Sequence, residues 1–219
     1  MQGLATTLGT NSMTVGSATL NGGEWRVASI GLKGKPSSLG AGNHLYVRES
    51  GGTLRYVGEG EQVTRPFDFA PATKPFVIDA GPVGGLDISG PWVNNYGSSR
   101  QAGMRNLVLT GSNTVPCTVN VEMETESLYI QGTNFTCYMT KEGSGTWRFK
   151  DSAKHINDNG FWVKEGTLQY DSIDEIGTVC ALGTATNLTD GYIGSFDPTR
   201  AVTYAFKLGG EAKSGAANE

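Results

Sequence analysis

The feature that most constrains the fold is a short strand pattern followed by a glycine turn, which recurs about every 20 residues. The segment LVLTGSN at residues 107–113 returns as LYIQGTN at residues 128–134, a shift of 21 positions. WRF at residues 147–149 and LQY at residues 168–170 continue the series. Within each copy apolar and polar residues alternate, which is typical of a strand with one buried face.

A repeat of this length predicts a solenoid, because one unit of roughly 20 to 25 residues cannot bury its own apolar face and must stack on its neighbours. A second strand, CTV at residues 117–119, matches CYM at residues 137–139 with a shift of 20, and FWV at residues 161–163 is a looser third copy. We therefore predict an all-β chain, a single-stranded parallel β-helix with coils of about 20 residues. With strands about 4.8 Å apart, about ten coils would form a rod on the order of 50 Å long.

Glycine content agrees with many short strands joined by tight turns. Glycine supplies 32 of the 219 residues, roughly twice its average usage of about 7%, and it is scattered along the chain. No stretch keeps the apolar spacing of a helix over three turns. A β-sandwich also has short strands and frequent turns, but it does not require repetition at about 20 residues, so the solenoid is favoured.

A longer repeat divides the chain into partial super-repeats. Residues 23–30 (GEWRVASI) are similar to residues 166–173 (GTLQYDSI) at an offset of 143, and residues 52–56 (GTLRY) are a third copy of the strand. We expect residues 1–210 to form a single β-solenoid unit made of these super-repeats. Residues 211–219, which are small and polar, are expected to form a flexible C-terminal tail.

The run TKEGSGTWRF at residues 140–149, followed by VKEGTL at residues 163–168, resembles the autotransporter-associated β-strand repeat of very large bacterial surface proteins. That pattern has a Lys, a Gly-x-Gly-Thr-Trp or Leu strand, an Asn-rich turn and a Val-x-x-Gly-Thr-Leu strand. The middle turn, residues 151–160, departs from it because the usual Tyr-Thr-Gly is missing. The resemblance implies a right-handed parallel β-helix in a secreted passenger region, and it brings no catalytic residues with it.

Charge and motif content exclude several classes of function. The net charge of −4 comes from 17 basic and 21 acidic residues mixed along the chain, unlike the basic footprint of a nucleic-acid-binding protein. The apolar runs are far below the roughly 18 residues of a membrane span, and residues 1–20 carry no signal-peptide pattern, so we expect an internal segment. Motifs for a nucleophilic serine, a phosphate loop, zinc or calcium are missing. We expect no enzyme activity, cofactor or metal.

Two aromatic residues are the weak candidates for ligand binding. Trp92 and Tyr96 interrupt the strand rhythm in residues 90–97 (GPWVNNYG), where exposed rings could stack on a sugar. The alternative is that Trp92 packs under its own loop. The two histidines, His44 and His155, are more than a hundred positions apart and are expected to be loop residues.

Some β-helices cleave polysaccharides, and such an activity would require paired acids. A glycosidase needs two carboxylates about 5 to 9 Å apart across one bond. Asp79 and Asp87 are near in sequence, as are Asp171, Asp174 and Glu175. We interpret these acids as turn residues that bond their own backbone.

The three cysteines form neither a disulfide framework nor a zinc pattern. Cys117 and Cys137 share one position of the predicted repeat, which would place their α-carbons near 4.8 Å. Side chains in register on parallel strands point the same way, which strains a disulfide. We therefore predict a reduced, buried cysteine stack, with Cys180 as an unpaired apolar residue.

The sequence favours a non-enzymatic extracellular scaffold whose function lies in length, stiffness and display. Its expected location is the extracellular space or a bacterial cell surface, its expected state is a monomer, and its expected partner is a surface glycan or another protein. We expect neither nucleic acid as a partner nor membrane insertion. A carbohydrate-binding or polysaccharide-degrading β-helix is the first alternative, and a trimeric phage tail-spike segment is the second.

Overall fold

The computed structural model of the chain describes residues 6–8, 18–48, 50–69, 74–93, 105–121, 137–150, 161–171, 193–194 and 202–206. The regular structure of these residues is β-strand, and the strands pair in parallel within three sheets. The chain passes from the first sheet to the second and third and then starts a new coil on top of the previous one. The predicted all-β parallel solenoid is confirmed.

The first sheet contains one strand from each of eight coils, namely β1 (Thr6–Leu8), β3 (Glu24–Val27), β5 (Gly52–Tyr56), β8 (Phe76–Asp79), β11 (Arg105–Thr110), β13 (Cys137–Lys141), β15 (Phe161–Val163) and β17 (Ile193–Gly194). The second sheet contains β6 (Glu61–Val63), β9 (Leu86–Ile88), β12 (Cys117–Val119), β14 (Thr146–Phe149), β16 (Gly166–Tyr170) and β18 (Val202–Phe206). The third sheet contains β2 (Ala18–Leu20), β4 (Leu45–Val47), β7 (Phe67–Phe69) and β10 (Trp92–Val93). We number each coil by its strand in the first sheet, so that coil 2 begins at β3 and coil 6 at β13.

The coils differ in length. Trp147 pairs with Leu168, 21 residues later, which confirms the predicted spacing at that point. Leu107 pairs with Met139, 32 residues later, and not with the predicted partner Leu128, because a longer connection separates these coils. In the part of the chain that the structure describes, the eight strands of the first sheet are about 4.8 Å apart and span about 34 Å.

The core is a set of inward-facing columns that run along the stack. Leu54, Ile78 and Leu109 follow one another in register on the first sheet, and all three are buried. Trp147 and Phe149 occupy alternate positions of β14 and are both completely buried. Burying a large apolar side chain contributes roughly 1.5 to 3 kcal/mol, so these columns supply the main attraction between coils.

The 143-residue repeat does not mark equivalent positions in the coil. Its first copy contains Glu24–Val27 in the first sheet, whereas the second contains Gly166–Tyr170 in the second sheet. Gly52 and Gly166 begin the two Gly-Thr-Leu strands with φ angles of 127° and 76°, a conformation that favours glycine. The motif therefore encodes a turn followed by a strand, and this strand can lie in the first or in the second sheet.

Within the residues that the structure covers, no helix is long and apolar enough to cross a membrane. The predicted tail, residues 211–219, lies outside the described residues.

Candidate functional site

Trp92 is not an exposed sugar-stacking residue. It is 3% exposed, and β10 places it in register with Phe67 on the third sheet. The two rings meet edge to face with centroids 6.3 Å apart, as aromatic pairs in a core do. Trp92 is therefore not an exposed binding residue, and the alternative of a packed ring is correct, because Trp92 continues the inward column that contains Phe67. Tyr96 lies outside the described residues.

The predicted cysteine stack is also wrong. Cys117 pairs with Trp147 in the second sheet, whereas Cys137 pairs with Arg105 in the first. A shift of 20 residues is shorter than the coil at this point, so the two cysteines fall on different faces. Cys117 is a free, buried thiol, and burial raises its pKa to about 11, which makes it an inert apolar residue. Cys180 lies outside the described residues.

The acids Asp79 and Asp87 lie on different sheets, Asp79 on β8 of the first sheet and Asp87 on β9 of the second. Asp79 accepts a hydrogen bond from the Gly81 backbone N–H at 2.8 Å, as expected of a turn residue, and lies 3.5 Å from Arg55 of the preceding coil. Asp87 accepts hydrogen bonds from Thr118 and Lys150 of the next two coils. Burial raises the pKa of Asp87, but these two donors outweigh burial and hold the pKa below its ordinary value.

Two further ion pairs join coils 6 and 7. The Arg148 guanidinium donates two hydrogen bonds to the Asp171 carboxylate, both at 2.7 Å. Lys164 Nζ lies 2.7 Å from Glu142 Oε1. These carboxylates therefore link successive coils. Asp174, Glu175 and His155 lie outside the described residues.

Residues 28–40 of coil 2, which we call the clamped loop, bind the edge of the second sheet without forming a strand there. β6 is the terminal strand of that sheet, and a bare strand edge is a template for aggregation. Side chains of coil 3 bind the loop in place of ladder hydrogen bonds. Glu61 Oε1 accepts from the Ile30 backbone N–H at 2.5 Å, and Thr64 Oγ1 accepts from the Lys33 backbone N–H at 3.0 Å.

Arg65 fastens the base of the clamped loop. Its side chain is completely buried, and its Nη1 donates to the Leu39 carbonyl at 3.0 Å. Nη2 donates to the Gly40 carbonyl at 2.5 Å and to Ser37 Oγ at 3.2 Å. Burial lowers the pKa of Arg65 and Glu61 opposes that shift, but a guanidinium stays charged in proteins. Arg65 is therefore a permanent buried cation held by backbone oxygens.

A second buried cation, Lys141, lies in an apolar column of the first sheet. Its neighbours in register are Leu109 on one side and Val163 on the other. Lys141 is completely buried. A charge at this position is expensive unless polar partners replace its water.

Three backbone carbonyl groups supply those partners. Lys141 Nζ donates to the carbonyls of Glu142 at 2.6 Å, Gly143 at 2.5 Å and Glu165 at 3.0 Å. We call this arrangement the carbonyl cage. Burial lowers the pKa of Lys141 to about 8, while the negative charges of Glu165 and Glu142 act in the opposite direction. Since Glu165 belongs to coil 7, the cage joins coils 6 and 7.

Coil 2 presents basic and aromatic side chains on its outer surface. Tyr46 lies on β4 with the Arg48 guanidinium 4.6 Å from its ring centroid, and the His44 ring lies 5.7 Å from the same centroid. All three are partly exposed, since they alternate with the buried Leu45 and Val47. The structure thus places His44 beside a strand and in contact with a ring, which the sequence did not predict.

Metal ligation has no support in the part of the chain that the structure describes, where no group of three or more His, Cys, Asp and Glu residues is placed to hold an ion.

Sequence reasoning missed Arg65, Lys141 and the Tyr46 cluster. For Lys141 a signal exists, because the alternation of β13 puts Lys141 on the same face as the apolar Met139.

These features define the chain as a parallel β-solenoid whose polar side chains bind neighbouring coils. No family model matches it, and neither a curated protein nor a solved structure matches it significantly.

Proposed function

We propose that this chain is a non-enzymatic structural segment of an extracellular protein, displayed at a bacterial cell surface in the manner of an autotransporter passenger. The observation that carries the proposal is the unbroken stack of eight parallel strands in the first sheet. Such a stack transmits length and stiffness from one end to the other without a dedicated site. The autotransporter-like origin rests on the sequence resemblance alone.

The use of the charged side chains supports the same proposal. Asp87 and Asp171 bond to residues of neighbouring coils, and Arg65 and Lys141 bond to backbone carbonyl groups of neighbouring coils or loops. An acid–base pair in an enzyme must instead converge on a reacting bond. The charged groups act here as links along the rod.

A reducing-end assay tests the absence of catalysis. The purified chain is incubated with neutral and acidic polysaccharides, and we expect no release of oligosaccharides from any of them. Release that is abolished in Asp87→Asn, with the fold unchanged by circular dichroism, would replace the scaffold with a polysaccharide-degrading enzyme.

A mechanical measurement tests the structural function directly. With the chain tethered at both ends in an optical trap, we expect coils 2 to 7 to unfold at high force as one cooperative body. Sequential loss of single coils at low force would contradict the proposal.

Sedimentation velocity provides the oligomeric state. We expect a monomer, whereas a stable trimer would favour the tail-spike alternative.

A further inference from the structure

Coil 2 carries a net positive charge in a chain whose net charge is −4. Between residues 24 and 51 there are four Lys or Arg residues and two acids, Glu24 and Glu49. Glu24 lies 3.9 Å from Arg26, so those two charges offset one another. The remaining cations are Lys33, Lys35 and Arg48.

The tip of the clamped loop holds two of these cations in a defined position. Residues 32–36 (LKGKP) are all exposed, whereas residues 37–40 behind them are buried. A backbone hydrogen bond of 3.1 Å from the Lys35 N–H to the Leu32 carbonyl closes a tight turn. Because Arg65 fixes the base of this loop, Lys33 and Lys35 would bind a partner with a smaller loss of backbone entropy than residues of a free loop.

The tip lies next to the segment that enters β4. A Cβ built on Gly34 would lie 3.5 Å from Asn43 Oδ1, and Asn43 directly precedes His44. The loop cations and the Tyr46 cluster therefore belong to one continuous surface on coil 2. We call this surface, made of Lys33, Lys35, His44, Tyr46 and Arg48, the basic aromatic face.

We propose that the basic aromatic face binds an acidic polysaccharide, with its sugar rings against Tyr46 and His44 and its carboxylates on the three cations. A guanidinium binds a carboxylate through two parallel hydrogen bonds, and stacking on Tyr46 restrains the plane of Arg48. Partly exposed aromatic rings offer the apolar surface that a sugar ring needs. This inference deepens the proposed function, because it names the partner that the scaffold displays or holds.

Charge density favours a polysaccharide over a nucleic acid. Double-stranded DNA carries one negative charge per roughly 1.7 Å and needs many cations along its path. The face offers three cations on a chain of net charge −4, which suits a polymer with about one carboxylate per sugar. Acidic lipid vesicles fit less well, because Leu32, at 39% exposure, is the one large apolar residue at the loop tip.

Isothermal titration calorimetry with polygalacturonate oligomers tests the proposal, with dextran oligomers as the neutral comparison. We expect the intact chain to bind polygalacturonate, to bind dextran at least tenfold more weakly, and to lose affinity as salt rises. Replacing both loop lysines in K33Q/K35Q is expected to weaken binding about fivefold, and R48Q about tenfold. R48K keeps the charge and loses the flat donor pair, so we expect an intermediate affinity.

The matched control is K74Q, which removes an exposed lysine outside coil 2 and should leave the affinity within about twofold. Equal weakening in this control, no binding by the intact chain, or equally tight binding of a DNA duplex or of acidic phospholipid vesicles would overturn the proposal. If the chain does not bind polygalacturonate but unfolds at high force as one body, the binding proposal fails and the proposed structural function stands. Cleavage of the polygalacturonate would instead overturn the proposed structural function.

Discussion

Arg65 and Lys141 are two completely buried cations, and the difference between their surroundings explains what each one does. Arg65 binds a loop that has no place in a sheet, so its hydrogen bonds substitute for a missing strand. Lys141 lies inside a regular column between Leu109 and Val163, where the sheet on either side is complete. Arg65 thus takes the place of a missing strand, whereas Lys141 lies within a sheet that is complete without its charge.

Burial by itself therefore does not measure how much a charged side chain contributes to stability. Removing one partner of a buried ionic arrangement is destabilising when the groups left behind have no substitute, whereas an apolar replacement of similar volume is often tolerated. The loop carbonyls around Arg65 are of the first kind. Lys141 is of the second kind, because an apolar column surrounds its stem and its carbonyl partners Glu142, Gly143 and Glu165 belong to partly exposed residues that water can reach.

The largest effect is expected for Arg65→Met. The substitution leaves the buried Leu39 and Gly40 carbonyls without their donor, and we expect the free energy of unfolding to fall by about 3 to 5 kcal/mol in urea titrations. Trypsin cleavage after Lys33 should accelerate, because the loop base is released. The control Arg26→Met removes a half-exposed arginine and should change stability by less than about 0.5 kcal/mol. A loss below about 1 kcal/mol in Arg65→Met would show that the buried loop carbonyls do not depend on Arg65.

The second largest effect is expected from a change in pH, because Lys141 makes the free energy of unfolding depend on pH. The pKa of Lys141 is about 8 in the folded chain and 10.5 without burial. Below pH 8 the amine is protonated in both states, so the penalty for burying its charge is fully present. Between pH 8 and 10.5 the folded chain holds a neutral amine while the unfolded chain is still protonated, so stability rises with pH by up to about 3 kcal/mol.

Lys141→Met is the control that isolates this effect. At pH 7 we expect its free energy of unfolding to lie within about 1 kcal/mol of the parent, because methionine fits the column between Leu109 and Val163. The cage carbonyls that lose their donor belong to partly exposed residues, so water can replace the ammonium group there. Chemical denaturation at pH 7 and pH 9.5 should show a gain for the parent and a smaller gain for the variant. Equal gains in both chains would show that Lys141 is not the group responsible.

The strand alternation made the solenoid predictable from the sequence, but the lengths of the connections were not. Trp147 and Leu168 were matched correctly, because the coil between them has the 21-residue length that the repeat assumed. Cys117 and Cys137 were matched wrongly, because a similar strand motif fits two different sheets. Local pattern determines that a strand forms, whereas its face depends on how many residues the preceding corners use.

The candidate sites were harder to predict for a related reason. The irregular surroundings of Trp92 left both an exposed and a packed ring possible, and its register with Phe67 shows that the ring is buried. The basic aromatic face depends on the tip of the clamped loop lying next to Asn43, which directly precedes His44, and no sequence spacing shows this proximity. The alternation of β13 did point to Lys141 as an inward residue, and this was the one signal available for a buried cation.

A smaller effect is expected for Gly166→Ala, which tests how rigid the carbonyl cage is. Gly166 has a φ of +76°, and a Cβ there would lie 2.3 Å from the Gly143 carbonyl oxygen and 2.8 Å from Lys141 Nζ. We expect a loss of about 2 kcal/mol in urea titrations. Most of this loss should persist in the Lys141→Met background, because the clash is with backbone. Ser144→Ala, at an exposed neighbour, should be close to neutral, and an equal loss there would remove the argument for a rigid cage.

The smallest effect is expected for Thr64→Val, which removes the weakest fastening of the clamped loop and keeps the side-chain shape. Thr64 Oγ1 accepts from the Lys33 N–H at 3.0 Å at an exposed position, where water can replace it. We expect a loss of about 0.5 to 1 kcal/mol in urea titrations, and faster hydrogen exchange at the Lys33 amide. Thr53→Val on β5 is the matched control. Because Arg65 still holds the loop base, a loss as large as that of Arg65→Met would mean that the loop edge, and not the buried cation, fastens coil 2 to coil 3.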